Sequence, residues 1–457
     1  MKPVESKRPG DQESFSRVGV LVLLICWATV VADGYDVVVF GAVVPSLLAE
    51  PGWGLTPAGA GLIGSLALTG MFIGSLVVGN LTDRYGRRRM LIVCVIWFSS
   101  LTALCAFAPG PEVFGLLRLL AGLGLGGVLP TASALVGEYS PKRKRNFVYA
   151  VMYSGFPIGG ILAALVGLVL IPAWGWRSMF LVGLIPLLVI VPIAVRWLPE
   201  SMGFLLGRGR VKEAQAIADS HGVALPNAAP PPAAGTRTGK QPGSVGQIFS
   251  PRFRLTTICF CVASFFCLFM IYGLNTWLPQ IMRQSGYSLG SALSFLLVFN
   301  IGAVVGTVLI STLADRIGSR QILLCTFLLA SVSVALLTIS LPTVALYVLV
   351  ACGGIGVIAT QSFILAFVSK VYPVTISATA LGWSLGIGRL GSVAAPPVLG
   401  LIVGSALAIQ WNFWAIAIPG LLGAITIALI PRNIAPPENN AVIEIPAIRQ
   451  HENRSAS

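Results

Sequence analysis

The chain has 457 residues, of which 56% are hydrophobic and only 10% charged, and it carries a formal net charge of +14. A soluble protein carries about a quarter charged residues, so too little polar surface remains here to cover a water-soluble globule. The basic residues lie in short segments between long apolar blocks, which argues for a chain oriented across a membrane and against a nucleic-acid surface.

Twelve apolar blocks follow one another near 18–48, 58–81, 90–108, 112–138, 146–170, 178–197, 254–279, 289–313, 321–341, 343–369, 376–404 and 411–430. Each has roughly 20 residues or more, the length one helix needs to cross a bilayer core. The blocks are continuous rather than alternating, so helices are expected and a β-barrel is not. The chain therefore reads as an all-α polytopic membrane protein. A tail (1–17) precedes a six-helix half (18–197), a central loop (198–250), a second six-helix half (251–430) and a polar tail (431–457). The first block is too long for the apolar region of a signal peptide and is expected to stay as a topogenic helix. Alternating the spans from a cytoplasmic N-terminus places all but four of the 30 Lys and Arg in cytoplasmic segments. The exceptions are Arg177 and Arg283 outside, and Arg118 and Arg389 within spans; both termini are then cytoplasmic.

The first span contains Asp33 and Asp36, whose i/i+3 spacing puts them on one helix face. A carboxylate at the centre of a membrane helix costs ~3 kcal/mol on insertion scales. Two on one face repel, so one of the pair is expected to exchange protons readily, as a proton-coupling site requires. The plainer alternative is a water-exposed cap where this long span leaves the bilayer. Between spans 2 and 3 lies Gly79-Asn-Leu-Thr-Asp83-Arg84-Tyr-Gly86-Arg87. Asp83, Arg84 and Arg87 are expected to form a cytoplasmic latch, made in one conformation and lost in another, with Glu138 and Arg145 in the same network. A purely orienting charge cluster is the alternative, although orientation needs no acid.

Arg118 in span 4 and Arg389 in span 11 are permanent cations in apolar surroundings, so each needs an anionic partner or water. Arg118 is expected to pair with Asp33 or Asp36. Arg389, among Gly386, Gly388 and Gly391, is the better candidate for a substrate carboxylate, because guanidinium matches carboxylate geometry. An internal salt bridge is the alternative for both. Gly122-Leu-Gly124-Leu-Gly126-Gly127 fits a dinucleotide-loop pattern but sits in an apolar span without a preceding strand. Close helix packing is the expected role, as for Gly70/Gly74, Gly155/Gly159 and Gly382/Gly386. The central loop is expected to open with an amphipathic helix over 203–220, followed by a Pro/Ala/Gly-rich linker. All eight cysteines fall within spans and are expected to be buried packing residues. The two histidines, His221 and His451, lie in polar segments, and no metal-ligand or nucleophile–base cluster is visible.

The latch segment recurs. Leu81-Thr-Asp83-Arg84-Tyr-Gly86 and Leu313-Ala-Asp315-Arg316-Ile-Gly318 are 232 residues apart, and the same offset carries Pro141 onto Pro373. Related halves with a site near the bilayer midplane between them are the architecture of a secondary transporter.

These residues resemble the loop 2–3 signature of the major facilitator superfamily, with Asp315-Arg316 where that family repeats it. Glu138-Tyr-Ser-Pro141 with Arg145, and Gly175-Trp176-Arg177, are similar to further landmarks of the family. The resemblance implies twelve transmembrane helices in two pseudo-symmetric six-helix halves, the major facilitator fold. Arg118-Leu-Leu-Ala-Gly122 resembles a motif of that family linked to proton transfer. Asp33-Gly-Tyr-Asp36-Val-Val-Val-Phe-Gly41 resembles the first-helix signature of the aromatic acid:proton symporters, and Tyr272-Gly-Leu-Asn275-Thr-Trp277-Leu-Pro279 is similar to their benzoate-type members. In that branch the paired aspartates are associated with transport.

The expectation is thus a proton-coupled importer of a small aromatic carboxylate, of the benzoate or hydroxybenzoate class, without cofactor or metal and acting as a monomer in the cell inner membrane. Tyr35, Tyr272, Phe299 and Trp383 are candidate ring contacts, and Asn275, Asn300 and Gln361 candidate partners for ring hydroxyls. Packing, or anchoring at the membrane interface, is the alternative for the aromatics. A transporter of another organic acid, a proton-driven drug exporter and an aromatic-acid receptor are the rivals; an enzyme is not expected.

Overall fold

A computed structural model describes residues 16–141, 144–221 and 244–431, with the backbone alone described at a few helical positions that include 307–317. The described residues form helices and no strands. The first half comprises α1 (Arg17–Leu48), α2 (Pro57–Tyr85), α3 (Arg87–Cys105), α4 (Pro111–Tyr139), α5 (Arg145–Tyr153), α6 (Gly155–Trp174), α7 (Arg177–Leu181) and α8 (Val191–Trp197). Three short helices follow: α9 (Met202–Gly207), α10 (Val211–His221) and α11 (Ser244–Ile248). The second half comprises α12 (Arg254–Gln284), α13 (Leu289–Ile317), α14 (Ser319–Leu336), α15 (Thr343–Val371), α16 (Val374–Val403) and α17 (Gln410–Ala428). Twelve segments are long and apolar enough to cross a membrane, α5–α6 and α7–α8 each counting as one. Large apolar side chains such as Leu24, Phe107, Val169, Leu188, Val344 and Leu401 are exposed on the outside of the bundle, where lipid replaces water as solvent.

Local chemistry explains the helix ends and breaks. Ser16 and Thr56 cap α1 and α2 by accepting from the amides of Gly19 and Gly59, at 3.0 and 3.1 Å. Pro157 has no N–H to give the carbonyl of Tyr153, four residues back, and the helix is interrupted there, at Ser154. Pro186 opens a π-helical turn (Pro186–Ile190) that separates α7 from α8.

The 232-residue repeat holds in three dimensions, down to single glycines. A methyl group at Gly70 would sit 2.1 Å from the carbonyl oxygen of Leu119; at Gly302, 2.3 Å from that of Ala351. One at Gly122 would sit 2.1 Å from the oxygen of Ala67; at Gly354, 2.0 Å from that of Phe299. All four residues in each half are related by the same offset. They hold α2 against α4 and α13 against α15 at backbone contact, which only glycine permits. Gly86 and Gly318 share φ +97° and make the sharp turn between helices. Asp83 and Arg84 are therefore not in a loop, as the sequence suggested, but in the last turn of α2, because Gly86 alone suffices for the turn.

The halves meet through α1–α12, α2–α16 and α6–α13. Their closest contacts lie toward the end of the bundle away from the basic segments. Gly41 packs on the carbonyl of Asn275, Gly61 on that of Pro396 and Gly400 on that of Pro57. Toward the basic end, Gly382 and Gly386 meet nothing within 4 Å, and Tyr153 and Trp383 are exposed. The space between the halves thus opens toward the basic end.

Three expectations need correction. Gly382 and Gly386 do not mediate close packing, since open space adjoins both. Cys325 is exposed and Cys352 half-buried rather than core, because both sit on outward-turned helix faces. The amphipathic helix after span 6 is two helices, α9 and α10, broken where Gly209 adopts φ +72°. The Pro/Ala/Gly-rich linker and the C-terminal tail lie outside the described residues, as does His451.

Candidate functional site

The two aspartates of α1 have different surroundings. Asp36 faces the interior of its own half. Its Oδ2 accepts from Arg118 Nη1 at 2.8 Å and its Oδ1 from the Thr102 hydroxyl at 2.5 Å, while Arg118 Nη2 donates to its backbone carbonyl at 3.0 Å. Asp36 and Arg118 are both 2% exposed, and the guanidinium lies 6.0 Å from the Phe180 ring. A buried ion pair keeps its charges when its geometry is good and its polar atoms are bonded; here both carboxylate oxygens of Asp36 and both terminal nitrogens of Arg118 are bonded, and Arg118 Nε alone is left without a partner.

Asp33, one turn earlier, is fully buried, and no described group bonds either carboxylate oxygen. A buried carboxylate without a partner is costly as an anion and tolerable as an acid. The cation that reaches it is Arg389 of α16, in the other half, which is within Coulombic range of Asp33, Tyr272 and Tyr153. Arg389 is half-buried, and among the described residues its guanidinium has no hydrogen-bonded or carboxylate partner. Gly386 and Gly382, one and two turns before it, leave the open space that the sequence suggested.

The remaining candidates separate into those near this space and those that are not. Tyr272 of α12 packs edge-on against Phe156 of α6, ring centroids 6.4 Å apart, across the boundary between the halves. Tyr35 turns away: its hydroxyl donates to the Met179 carbonyl at 2.9 Å within the first half. Asn275 and Asn300 bond each other at 3.3 Å, and Asn300 lies against Gly160, where α6 meets α13. Phe299 is buried in the core of the second half. Trp383 is 39% exposed and packs edge-on against Phe249 beside α11. Both polar atoms of the Gln361 side chain are buried and unbonded.

At the basic end, Arg87 forms an ion pair with Glu138, and both are held by Ser201, whose hydroxyl lies 3.1 Å from Arg87 Nη1 and 2.8 Å from the Glu138 carboxylate. Arg145 donates to the Gly137 carbonyl at 2.5 Å, and the Arg84 carbonyl accepts from Arg208 at 2.6 Å. Asp83 is exposed, and no hydrogen bond or ion pair joins it to a described residue. Gly79 meets nothing within 4 Å. Asp315 and Arg316 end α13, and their side chains lie outside the described residues.

Several residues escaped the sequence reading. Glu200 receives the Arg88 and Ser201 amides at 2.9 and 3.0 Å and lies against Gly86, so that with Ser201 it clamps the α2–α3 turn. The signal was an acid just past span 6, where orientation needs none. Thr102, Tyr153, Phe156 and Ser133 carried no signal, because each is an ordinary span residue until tertiary structure selects it.

The family model described as the Major Facilitator Superfamily matches residues 26–396 and again 296–447. A benzoate transport protein of Acinetobacter baylyi is 35% identical over 419 residues, covering 90% of this chain and 89% of its own. A gentisate transporter of Corynebacterium glutamicum is 38% identical over 413 residues, covering 90% and 87%. Among solved structures, a partially occluded inward-open form of the E. coli xylose transporter XylE superposes with a TM-score of 0.73 at 17% identity, covering 91% of this chain and 98% of its own. At that identity it speaks for the fold alone.

Proposed function

The chain belongs to the major facilitator superfamily, on its aromatic acid transporter branch, and from that premise we propose that it imports a small aromatic carboxylate, of the benzoate or hydroxybenzoate class, together with a proton by alternating access. It is a multi-pass membrane transporter and not an enzyme. In this reading the basic end and both termini are cytoplasmic, the membrane is the cell inner membrane, and one chain suffices for transport.

The observation that carries the reading is the unbonded Asp33 within Coulombic range, across the two halves, of an Arg389 that has no partner among the described residues. In the outward-open state Asp33 takes a proton and the substrate carboxylate binds Arg389. Neutralising both groups lets the halves close, since a dry site tolerates paired or uncharged groups only. Opening toward the basic end then lets the proton and the substrate leave. Asp36 keeps its bonds to Arg118 and Thr102 and orients α1. One free carboxylate supports one proton per monoanion, an electroneutral cycle driven by the pH gradient; a second proton would add ~2.3 kcal/mol per 100 mV.

Asp83, bonded to no described residue, supports the latch. With the bundle open toward the basic end the latch is undone, whereas the Arg87–Glu138–Ser201 cluster persists as scaffold.

The test is uptake of labelled benzoate and hydroxybenzoates by cells, with and without an uncoupler. Wild-type accumulation is expected to collapse with uncoupler. Asp33→Asn is expected to lose accumulation, at least tenfold, while still exchanging labelled for unlabelled substrate. Uncoupler-sensitive accumulation by Asp33→Asn at the wild-type level would show that the proton is carried elsewhere.

A further inference from the structure

The structure also points to a residue that reads the ring. Tyr153 ends α5 at the break caused by Pro157 and is 46% exposed although it lies within the bundle. Its hydroxyl lies 2.9 Å from that of Ser133 on α4, and Arg389 of α16 is within its Coulombic range. Those helices belong to opposite halves, and α16 packs on α2 and α12 rather than on α5 or α6. A phenol bonded to Ser133 and within range of the Arg389 charge therefore stands in the space between the halves, on the side that opens toward the basic end.

Hydrogen-bond accounting fixes what this phenol offers. Ser133 donates its proton to the Leu129 carbonyl at 2.7 Å. The proton in the Tyr153–Ser133 contact is then Tyr153's, donated to Ser133. The lone pairs of the phenol oxygen remain open to the cavity, so Tyr153 faces the substrate as an acceptor. An acceptor has nothing to take from an unsubstituted ring or from a carboxylate, but it takes the proton of a ring hydroxyl. Asn275 and Asn300 bond each other where α6 and α13 meet, and the one acceptor this leaves unbonded, Asn300 Oδ1, is buried against the Gly160 backbone rather than exposed as the Tyr153 phenol is.

We propose that Tyr153, oriented by Ser133, is the specificity-determining residue for hydroxylated rings, accepting a hydrogen bond from the hydroxyl of a hydroxybenzoate whose carboxylate is held by Arg389. This rests on the substrate class proposed above and deepens it. A site built to bond a substrate hydroxyl discriminates against the analogue that lacks it, because the site's polar group is left unpaired. Tyr153→Phe removes the acceptor and keeps the ring, so packing at the helix break is retained.

The experiment measures the KM of labelled benzoate, 3-hydroxybenzoate and 4-hydroxybenzoate in wild type, Tyr153→Phe and Ser133→Ala. In wild type at least one hydroxybenzoate is expected to have the lower KM. Tyr153→Phe is expected to raise that KM about tenfold while benzoate KM stays within twofold, which also reports a folded transporter. Ser133→Ala, which frees the phenol to rotate, is expected to fall between. A wild type that favours benzoate, or a Tyr153→Phe change that is equal for all three acids, overturns the assignment. Failure of wild type to transport any of the three removes the substrate class and this inference with it, a result distinct from an unchanged preference in Tyr153→Phe.

Discussion

The two six-helix halves share a skeleton and differ in where they keep charge. The glycine contacts of α2–α4 recur at α13–α15 in the same register, and the turn at Gly86 recurs at Gly318. Asp83 and Arg84 recur as Asp315 and Arg316, but the charges deeper in the spans do not. At the 232-residue offset Asp33 and Asp36 fall on Phe265 and Leu268, Arg118 falls on Val350, and Arg389 falls back on Pro157. Among the described residues, the first half holds a buried ion pair and an unbonded acid; the second holds, in Arg389, an unbonded cation. Equivalent packing suits the rigid-body rocking proposed above, and in that proposal the complementary charges Asp33 and Arg389 lie on opposite sides of the boundary between the halves.

Breaking the ion pair gives the largest expected effect. Asp36→Asn leaves Arg118 buried without its counter-ion, a loss of about 3–5 kcal/mol. The expected outcome is a lowered melting temperature in detergent and loss of both accumulation and exchange. Asp33→Asn is expected to leave the melting temperature near that of wild type, since Asp33 has no bonded partner to lose. Equal melting behaviour of the two variants would erase the distinction between the aspartates.

On the other side of the boundary, Arg389→Ala is expected to raise substrate KM by about 30-fold or more. That corresponds to about 2 kcal/mol or more for truncating one member of a desolvated charge pair. Arg389→Lys is expected to recover part of it, since it restores charge but not the two-pronged geometry. An unchanged KM in Arg389→Ala would remove the second half's share of the chemistry.

The smallest effect concerns a clasp that only the first half has. Glu50 receives Trp176 Nε1 at 2.8 Å and Arg177 Nη1 at 2.6 Å, and the offset carries Glu50 and Arg177 onto Met282 and Ile409. Partial burial pushes the Glu50 carboxyl up, but its bonds to Trp176 and Arg177 outweigh burial and hold it below the usual range. A carboxyl depressed on folding contributes stability above its unfolded value, and that contribution fades as pH falls through the lower folded value. Melting curves between pH 3 and about 6 are expected to show wild type losing its small advantage over Glu50→Gln as the solution is acidified.

Much of this is legible in the order of residues. Long apolar blocks, the sidedness of Lys and Arg, and one recurring offset follow from the bilayer's thickness and its intolerance of charge, so composition and spacing alone determine twelve spans in two related halves. Intramembrane charges are rare for the same reason, which is why Asp33, Asp36, Arg118 and Arg389 stand out from the residues around them in the chain. Their pairing cannot be read that way. The i/i+3 spacing puts both aspartates on one face, and only the placement of α3 and α4 decides that Asp36 is bonded while Asp33 is not. The cavity lining is hidden too, since Tyr153, Ser133 and Phe156 are common residues in apolar helices. A missing N–H at Pro157 and the meeting of α4, α6, α12 and α16 turn them inward, and such long-range contacts leave no period or motif in the chain.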